Sequence, residues 1–487
     1  MRVLLDATGI GSGAGGDETM LSGVLQGLAA VAGDDDVFPV VAAEGAELPP
    51  VILGDSRFPI QRVRRLPGAL HFTATLPRVL DAARPRPDLV FSPTHGPLRS
   101  PVPLALMVQD LSFEHRPLDY PPLTRRRLQW AVRAQVRGAR AILTVSDHAR
   151  GDLIRTYRLD PSRVFTVPNA NLPAPDLDAV AATAARTSLR RQGVDGPILL
   201  YLGNLHPRKN VGTVIEAFGR ARAAGGELDA HRLVIAGGRW WGTGEEDAAR
   251  HHAPEGSVVF LGRVDEVQRE VLLRDATALC YLSLFEGFGL PPLEAMARGT
   301  VVIASDRTSV PEVVGDAAIV VDALDVDAVS EAMRRAVTDQ DLVAQLRERG
   351  LRRAAHYSVG NTGRALRHAF RVAIDAPWNR SLEERRAAIL DALGLDVPAD
   401  ARVIEIDLGA GGNWTGRLAE SCGPLGPGEV ALVRIGGVGR GIGARMRRPS
   451  IAEAWSVLED HDCVVLADWT DHDGSVVAVI RRSNVSG

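Results

Sequence analysis

The sequence predicts an α/β protein with at least two domains built on parallel sheets. A chain of 487 residues is too long for one hydrophobic core and should divide into two or three domains. Short apolar segments alternate with longer segments rich in Ala, Leu and Arg, which is the pattern of parallel strands joined by crossover helices. The strand candidates are residues 3–5, 88–91, 104–108, 141–145, 198–202, 233–236, 258–261, 301–304 and 318–321.

Two carboxylates stand eight residues apart where a predicted strand leads into a predicted helix. The apolar run 278–282 is typical of a buried parallel strand. Pro291 and Pro292 suit the first turn of a helix, where no backbone N–H is needed. We therefore expect Glu286 in the loop after the strand and Glu294 in the first helical turn.

Glycines surround the first of these carboxylates. Gly287 and Gly289 would let the backbone approach a ligand closely, and the N-terminus of the following helix favours a phosphate. The carboxylates could then hold hydroxyl groups, as on a ribose and a sugar. The alternative is an ordinary surface helix with two solvated glutamates.

Four segments in order resemble one known family. Residues 285–297 resemble the Glu-x7-Glu motif of retaining glycosyltransferases of the GT-B fold, family 4, in its mannosyltransferase-like branch. Residues 200–210 resemble the strand, Gly turn and Arg-Lys pair of that family, and residues 305–318 resemble its segment after the second glutamate. Residues 144–148 and 167–170 resemble the landmarks that close its first domain.

This resemblance implies two Rossmann-like domains facing a cleft, followed here by a small C-terminal α/β domain. We expect an N-terminal acceptor-side domain at 1–178, a nucleotide-sugar donor domain at 190–355, a return helix at 356–378 that packs on the first domain, and an extra domain at 380–487.

The implied activity is a retaining, metal-independent transfer of a hexose. The donor would be a nucleoside diphosphate sugar, with GDP-mannose as first choice, and the acceptor a saccharide, a lipid-linked molecule or a small molecule. No cofactor is expected besides the nucleotide sugar as co-substrate. The alternative is a catalytically silent scaffold or partner subunit that binds nucleotide sugars.

In the donor domain, the resemblance assigns the diphosphate to a cation pair that follows the turn at Gly203. Arg208 can engage phosphate with two hydrogen bonds, and Lys209 acts as a point charge. Glu294 resembles the ribose-binding acid, and Glu286 resembles the catalytic residue that faces the donor sugar.

Backbone groups would complete the donor site. The segment Phe288, Gly289 and Leu290 is expected to supply N–H groups to phosphate or sugar oxygens. Val264 would pack against the base, although its segment could equally be a plain strand end.

The first domain carries the departures from the family. Gly15 and Gly16 would face the diphosphate across the cleft, but Asp17 and Glu18 stand where the family often has a basic or aromatic residue. This change puts the acceptor chemistry in doubt.

The cleft also lacks a histidine found in many relatives. Gln109 replaces it in Gln-Asp-Leu-Ser-Phe, and Gln can hold a hydroxyl but cannot exchange a proton near neutral pH. A front-face mechanism, in which the leaving phosphate takes the acceptor proton, would tolerate the change. His95 could offer an imidazole nearby, or serve a structural role.

The C-terminal extension resembles a truncated methyltransferase. Residues 401–415 are similar to the first strand and Gly loop of S-adenosylmethionine methyltransferases, but the glycines are compressed and the strand at 430–433 ends in Arg434 instead of an acid. We expect a helix at 382–395. An active methyltransferase, a cofactor-less remnant used for packing or partner binding, and an unrelated small domain all remain open.

Bulk composition narrows the function classes. A net charge of −4 from 56 basic and 60 acidic residues gives no general reason to bind nucleic acid. The three cysteines lack metal-like spacing, and the acidic run 34–36 is interpreted as a solvated turn.

Without a predicted signal peptide or spanning helix, we expect a cytoplasmic protein. The Arg-rich segment 125–140 is either a solvated helix face or a peripheral contact with the inner face of a membrane.

Overall fold

The computed structural model describes residues 1–13, 15–66, 68–93, 95–97, 100–175, 177–238 and 244–375, and four strands between residues 402 and 482. The chain divides into two compact units. One unit comprises Met1–Leu153 with Phe165–Phe370, and the other comprises Ile154–Val164 with Arg371–Gly487.

The N-terminal domain is built on a seven-stranded sheet in the order β3-β2-β1-β4-β5-β6-β7. Its neighbouring strands from β3 to β6 pair in parallel. The strands are β1 (Val3–Asp6), β2 (Val40–Ala43), β3 (Ile60–Val63), β4 (Leu89–Ser92), β5 (Leu104–Met107), β6 (Ala141–Thr144) and β7 (Val164–Thr166). The helices are α1 (Gly15–Val31), α2 (Gly68–Leu70), α3 (Leu76–Ala82), α4 (Ser112–His115), α5 (Pro122–Gly138) and α6 (Asp147–Tyr157).

The second domain, which the sequence predicts to bind the donor and which we call the donor-side domain, follows helix α7 (Ala179–Arg191). It is built on a six-stranded parallel sheet in the order β10-β9-β8-β11-β12-β13. The strands are β8 (Ile198–Leu202), β9 (Arg232–Ala236), β10 (Val258–Gly262), β11 (Ala278–Tyr281), β12 (Val301–Ser305) and β13 (Ile319–Val321). The helices are α8 (Val211–Ala223), α9 (Glu245–His252), α10 (Glu266–Asp275), α11 (Leu290–Ala297), α12 (Val310–Val314), α13 (Val326–Thr338) and α14 (Gln340–His356).

The predicted parallel α/β architecture is confirmed, and its physical reason is burial. Every residue of β8, β11 and β12 is buried, as expected for strands covered by helices on both faces. Their continuous apolar composition is what made these strands recognisable in the sequence. The strands β2 and β3 were not predicted, although β2 is a buried run of Val and Ala.

The last helix of the first unit, α15 (Val359–Asp375), packs on α1 through two glycines. A Cβ added to Gly363 would lie 1.9 Å from the carbonyl oxygen of Gly27, so the two helix backbones touch. Arg367 of α15 donates from Nε to Asp36 over 2.7 Å. Asp36 is 2% exposed, so the interpretation of 34–36 as a fully solvated turn is wrong at this residue.

The second unit contains a four-stranded sheet in the order β14-β15-β17-β16. Its strands are β14 (Arg402–Asp407), β15 (Val430–Gly436), β16 (Cys463–Thr470) and β17 (Val476–Arg482). The pair β14 and β15 is parallel, and β17 pairs antiparallel with β15 and with β16. The expected helix at 382–395 and the Gly loop after β14 lie outside the described residues.

Candidate functional site

The candidate site of the donor-side domain lies where the strand order of its sheet reverses. Strand β8 has β9 on one side and β11 on the other, and parallel α/β sheets bind ligands in the crevice at the carboxyl ends of such strands. The loop after β8 carries Arg208 and Lys209, and the loop after β11 carries Glu286. The topology therefore brings these two sequence motifs together.

The turn after β8 requires glycine for two reasons. Gly203 has a φ of 149°, which few other residues adopt. Its carbonyl oxygen also lies 1.7 Å from where a Cβ on Gly237 would stand, at the end of the neighbouring strand. The two turns thus pack backbone against backbone, which shapes the floor of the crevice.

A buried ion cluster joins the two loops. Oε2 of Glu286 accepts from Nη1 of Arg208 over 2.8 Å, and Oε1 lies 2.5 Å from Nζ of Lys209. The hydroxyl of Tyr281 also donates to Oε1 over 2.8 Å. Lys209 and Glu286 are buried, and the Arg208 side chain is 16% exposed. The predicted cation pair therefore lies in the interior of the protein.

The cluster fixes the charge of its carboxylate. Burial alone would raise the pKa of Glu286, but the charges of Arg208 and Lys209 outweigh it and hold that pKa well below its usual range. Burial also opposes the charge of Arg208, whose pKa is nevertheless raised by Glu286 and Asp110. Glu286 is thus an anion across the whole physiological pH range.

The loop that carries Glu286 is held by hydroxyl groups. Ser309 Oγ donates to the carbonyl oxygens of Glu286 and Phe288 over 3.0 and 2.9 Å, and Ser146 Oγ donates to that of Gly287 over 2.7 Å. The N–H groups of Phe288 and Gly289 have no hydrogen bond to any described residue. They remain available beside the N-terminus of α11, which begins at Leu290.

The second glutamate of the motif is also ion-paired. Glu294 is buried and accepts from Arg269 of α10. It is the fifth residue of α11, so it lies in the second helical turn and not in the first as we predicted, because the helix already begins at Leu290. Its assignment to a ribose stays a prediction, as does that of Val264, which lies between β10 and α10.

A neutral histidine precedes the cation pair. His206 accepts the N–H of Arg208 at Nδ1 over 3.2 Å and caps the short helical turn Pro207–Lys209. Burial, with a contribution from the charge of Arg208, lowers the pKa of His206 to about 4. The ring can therefore act as an acceptor at neutral pH.

A carboxylate of the N-terminal domain binds the N–H groups of the Gly-rich loop. Glu18 accepts the N–H of Gly11 over 3.0 Å and the N–H of Gly13 over 2.5 Å. The glycines that we assigned to the diphosphate, Gly15 and Gly16, open α1. A Cβ on Gly16 would stand 3.9 Å from Leu290 Cδ1, so the first turn of α1 faces the N-terminus of α11. Their contact with a diphosphate stays a prediction.

Gln109 lies close to the ion cluster and has a carboxylate partner. Its Nε2 donates to Oδ1 of Asp17 over 2.7 Å. Its carbonyl oxygen is 2.1 Å from where a Cβ on Gly287 would stand. The next residue, Asp110, lies 3.9 Å from Nη2 of Arg208. The predicted cleft residue of the first domain therefore meets the predicted donor residues.

His95 belongs to a different cluster. Its ring makes an edge contact with Phe72 at 5.7 Å, and burial followed by the charge of Arg127 lowers its pKa. Its backbone carbonyl accepts from Ser92 over 2.5 Å. No recorded contact joins His95 to Gln109 or to the ion cluster, so its catalytic assignment rests on the sequence alone.

In the part of the chain that the structure describes, no group of three or more His, Cys, Asp or Glu side chains is arranged to hold a metal ion. The described site offers cations and backbone N–H groups, which suit an anionic ligand.

Solved structures share this architecture. Sucrose-phosphate synthase from Thermosynechococcus elongatus aligns with a TM-score of 0.57 at 18% identity, covering 77% of this chain and 100% of that one. WaaG, a glycosyltransferase involved in lipopolysaccharide biosynthesis, aligns with a TM-score of 0.56 at 16% identity, covering 75% of this chain and 98% of that one. At such identities the likeness shows the fold, which is the predicted GT-B fold.

Two family models match the two domains in turn. Residues 14–170 match Glycosyltransferase Family 4, and residues 188–353 match Glycosyl transferases group 1. The two domains have the GT-B fold, and each is similar to one of these two glycosyltransferase families. Neither match extends beyond residue 353, and the resemblance of the C-terminal extension to a methyltransferase is not supported.

Curated relatives of this GT-B chain include several mannosyltransferases. It is 31% identical over 260 residues to the O-antigen chain mannosyltransferase B of Escherichia coli, covering 52% of this chain and 66% of that relative. It is 29% identical over 239 residues to the MMP alpha-(1->4)-mannosyltransferase of Mycolicibacterium hassiacum, covering 48% of this chain and 54% of the relative. The chain thus spans less than two thirds of the length of these relatives.

Sequence reasoning missed several residues of the site. Tyr281, Ser309 and Ser146 hold Glu286 and its loop, and Arg269 neutralises Glu294. Ser309 and Ser146 do lie in segments that resembled the family. Arg269 gave no signal, because its partner is 25 residues away in the sequence.

Proposed function

We propose that this chain is a retaining, metal-independent hexosyltransferase that uses a nucleoside diphosphate sugar, with GDP-mannose as first choice. The acceptor would be a hydroxyl group of a saccharide, a lipid-linked molecule or a small molecule. The mannosyltransferase names of the relatives support the choice of sugar. No cofactor besides the donor co-substrate is expected.

One observation carries this proposal: Arg208 and Lys209 converge on Glu286 at the point where β8 and β11 end side by side. Two buried or nearly buried cations suit a diphosphate, although Glu286 and, at 3.9 Å from Nη2 of Arg208, Asp110 offset part of their charge. The N–H groups of Phe288 and Gly289, which have no hydrogen bond to a described residue, add further donors for phosphate oxygens.

These residues support a front-face transfer. The bond between C1 of the sugar and the phosphate oxygen breaks, and its electron pair stays on that oxygen, where Arg208 and Lys209 stabilise the charge. The acceptor oxygen bonds to C1 on the same face, and its proton passes to the leaving phosphate oxygen. The cations take the role that a metal ion plays in other transferases.

Glu286 would act at the sugar. Its carboxylate pairs with both cations, so a bound diphosphate would compete with it for Arg208 and Lys209. A carboxylate partly released from these cations can accept hydrogen bonds from sugar hydroxyls and stabilise positive charge at C1 in the transition state.

The test is release of nucleoside diphosphate from a donor panel, with product analysis by NMR. We expect GDP release from GDP-mannose, an α-linked product, and most of the rate in saturating EDTA. A β-linked product would refute retention, and a strict Mg²⁺ or Mn²⁺ requirement would refute metal independence. If nucleotides raise the melting temperature but no donor is turned over, the silent-scaffold alternative is correct.

We further propose that helix α5 contacts an anionic membrane surface. Leu123 and Trp130 are 82% and 72% exposed, and the exposed residues Arg126, Arg127 and Arg133 fall on the same helix face. Apolar anchors among arginines are typical of helices that lie in a bilayer interface. Among the described helices, none is both long and apolar enough to cross a membrane.

Vesicle cosedimentation tests this contact. We expect binding to vesicles that contain phosphatidylglycerol, little binding to phosphatidylcholine alone, and loss of binding in Trp130→Ser. The matched control is Val180→Ser, which also removes a highly exposed apolar side chain. Equal sedimentation of wild type and Trp130→Ser would refute the proposal.

A further inference from the structure

Glu18, Asp110 and Asp17 are carboxylates of the N-terminal domain that lie near one another, and the first two have structural partners. Glu18 accepts two N–H groups of the Gly-rich loop, as described above. Asp110 accepts the N–H and the hydroxyl of Ser112 over 2.9 and 2.6 Å, which fixes the start of α4. The third carboxylate, Asp17, has no such structural task.

Asp17 has one hydrogen-bond partner among the described residues, the Gln109 amide at 2.7 Å. Burial raises the pKa of Asp17, the bond from Gln109 opposes this, and the charges of Asp110 and Glu18 raise it further. A half-buried carboxylate with spare acceptor capacity is stabilised by any hydroxyl that donates to it.

Asp17 lies close to the ion cluster of Arg208, Lys209 and Glu286, to which Gln109 connects it. Gln109, which holds Asp17, touches Gly287 through its backbone, and Gly287 follows Glu286 directly. The neighbouring Asp110 lies 3.9 Å from Arg208. Asp17 therefore faces the same cleft from the opposite domain.

We propose that Asp17 is an acceptor-binding residue whose carboxylate accepts a hydrogen bond from a hydroxyl of a polyol acceptor, with Gln109 as its positioning residue. The nearby carboxylates of Glu18 and Asp110 disfavour a phosphate at this point, whereas a neutral hydroxyl is favoured. This inference rests on the proposed function, because it needs a donor sugar at Glu286.

The test compares transfer of the donor sugar to an acceptor with its hydrolysis by water. Wild type, Asp17→Asn and Gln109→Leu are incubated with GDP-mannose and with 4-nitrophenyl α-mannoside, methyl α-mannoside or glycerol as acceptor probes. Transfer to the probe and hydrolysis by water are measured together, and the KM for the probe is determined. Asp81→Asn, an exposed change in the same domain, is the matched control.

In Asp17→Asn we expect the ratio of transfer to hydrolysis to fall roughly tenfold or more, through a raised KM for the probe, because a hydrogen bond to a charged group is lost. Gln109→Leu should shift the ratio in the same direction by a smaller factor, and Asp81→Asn should not shift it. An unchanged ratio in Asp17→Asn would overturn the inference, as would wild type that hydrolyses GDP-mannose without transfer to any probe. Absence of both GDP binding and hydrolysis in wild type would instead overturn the proposed function.

Discussion

Lys209 and Glu286 form an ion pair at 2.5 Å between side chains that are both buried. The two residues are 77 positions apart in the sequence and meet because β8 and β11 are neighbours in the sheet. In the proposed function, a donor diphosphate would compete with the carboxylate of Glu286 for the charge of Lys209. The stability of the fold and the affinity for nucleotide should therefore be linked.

Gly287→Ala should reduce both stability and turnover, although it adds only one methyl group. The added Cβ would stand 2.1 Å from the backbone carbonyl oxygen of Gln109, so one of the two backbone segments would have to shift. We expect a loss of at least about 2 kcal/mol in the free energy of unfolding, together with loss of turnover. Gly212→Ala is the control, because nothing lies within 4 Å of its Cβ position. Equal melting temperatures for both variants would refute the close approach.

Glu286→Gln should destabilise the protein in the absence of nucleotide. The change leaves Arg208 and Lys209 without their shared counterion, and removal of one partner from a buried pair costs about 3–5 kcal/mol. Chemical denaturation measures this difference. Glu331→Gln, which breaks an exposed pair with Arg334, should change stability by less than about 1 kcal/mol. Similar losses of unfolding free energy in the two variants would show that the buried ion cluster stabilises the fold no more than an exposed ion pair does.

The same Glu286→Gln variant should separate binding from turnover. Because Glu286 competes with a diphosphate for the cations, its neutral replacement should bind GDP at least as tightly as wild type does. Turnover of the donor should fall about 100-fold, the effect of removing one preorganised charge from a transition state. Calorimetry and GDP release measure the two effects. A weaker GDP affinity with unchanged turnover would contradict the assigned role.

His206 should make the protein sensitive to acid. Its pKa is lowered to about 4 in the folded protein, first by burial and then by the charge of Arg208, so the unfolded chain takes up the proton first as the pH falls. The contribution of His206 is complete above about pH 6.5 and is lost between about 6.5 and 4, by up to about 3 kcal/mol.

The matched variant for this effect is His206→Asn, which keeps a side-chain acceptor for the N–H of Arg208 but cannot titrate. We expect its free energy of unfolding to depend less on pH than that of wild type over this range. Parallel stability curves would mean that His206 is protonated in the folded protein as readily as in the unfolded chain.

The sequence predicted secondary structure correctly in segments where buried apolar residues or glycines determine the pattern. Apolar runs predicted β8, β11 and β12, and the spacing of Glu286, Gly287 and Gly289 predicted a strand, a loop and a helix. These features depend on local composition, so one segment contains the whole signal. The prolines do lie in the first turn of α11 as predicted, but the helix begins at Leu290, so Glu294 falls in the second turn instead of the first.

Long-range pairing could not be predicted from the sequence. Asp36 looked like part of a solvated acidic run, but it is buried against Arg367, more than 300 positions away. Glu18 looked like a departure from the family, and it proves to satisfy the N–H groups of the loop before it. Such roles depend on which polar and charged groups the fold brings together, and these pairings cannot be predicted from local sequence composition.

The most direct test of the central claim is the affinity for GDP of wild type and Lys209→Met, measured by titration calorimetry well below both melting temperatures. The control is Arg334→Gln, which removes a cation from an exposed pair of the same domain. We predict that Lys209→Met binds GDP more weakly by about 1.5–3 kcal/mol, the contribution of a hydrogen bond to a charged group, while the control binds like wild type. Equal affinity of Lys209→Met and wild type would contradict the assignment of the buried cluster to the donor diphosphate.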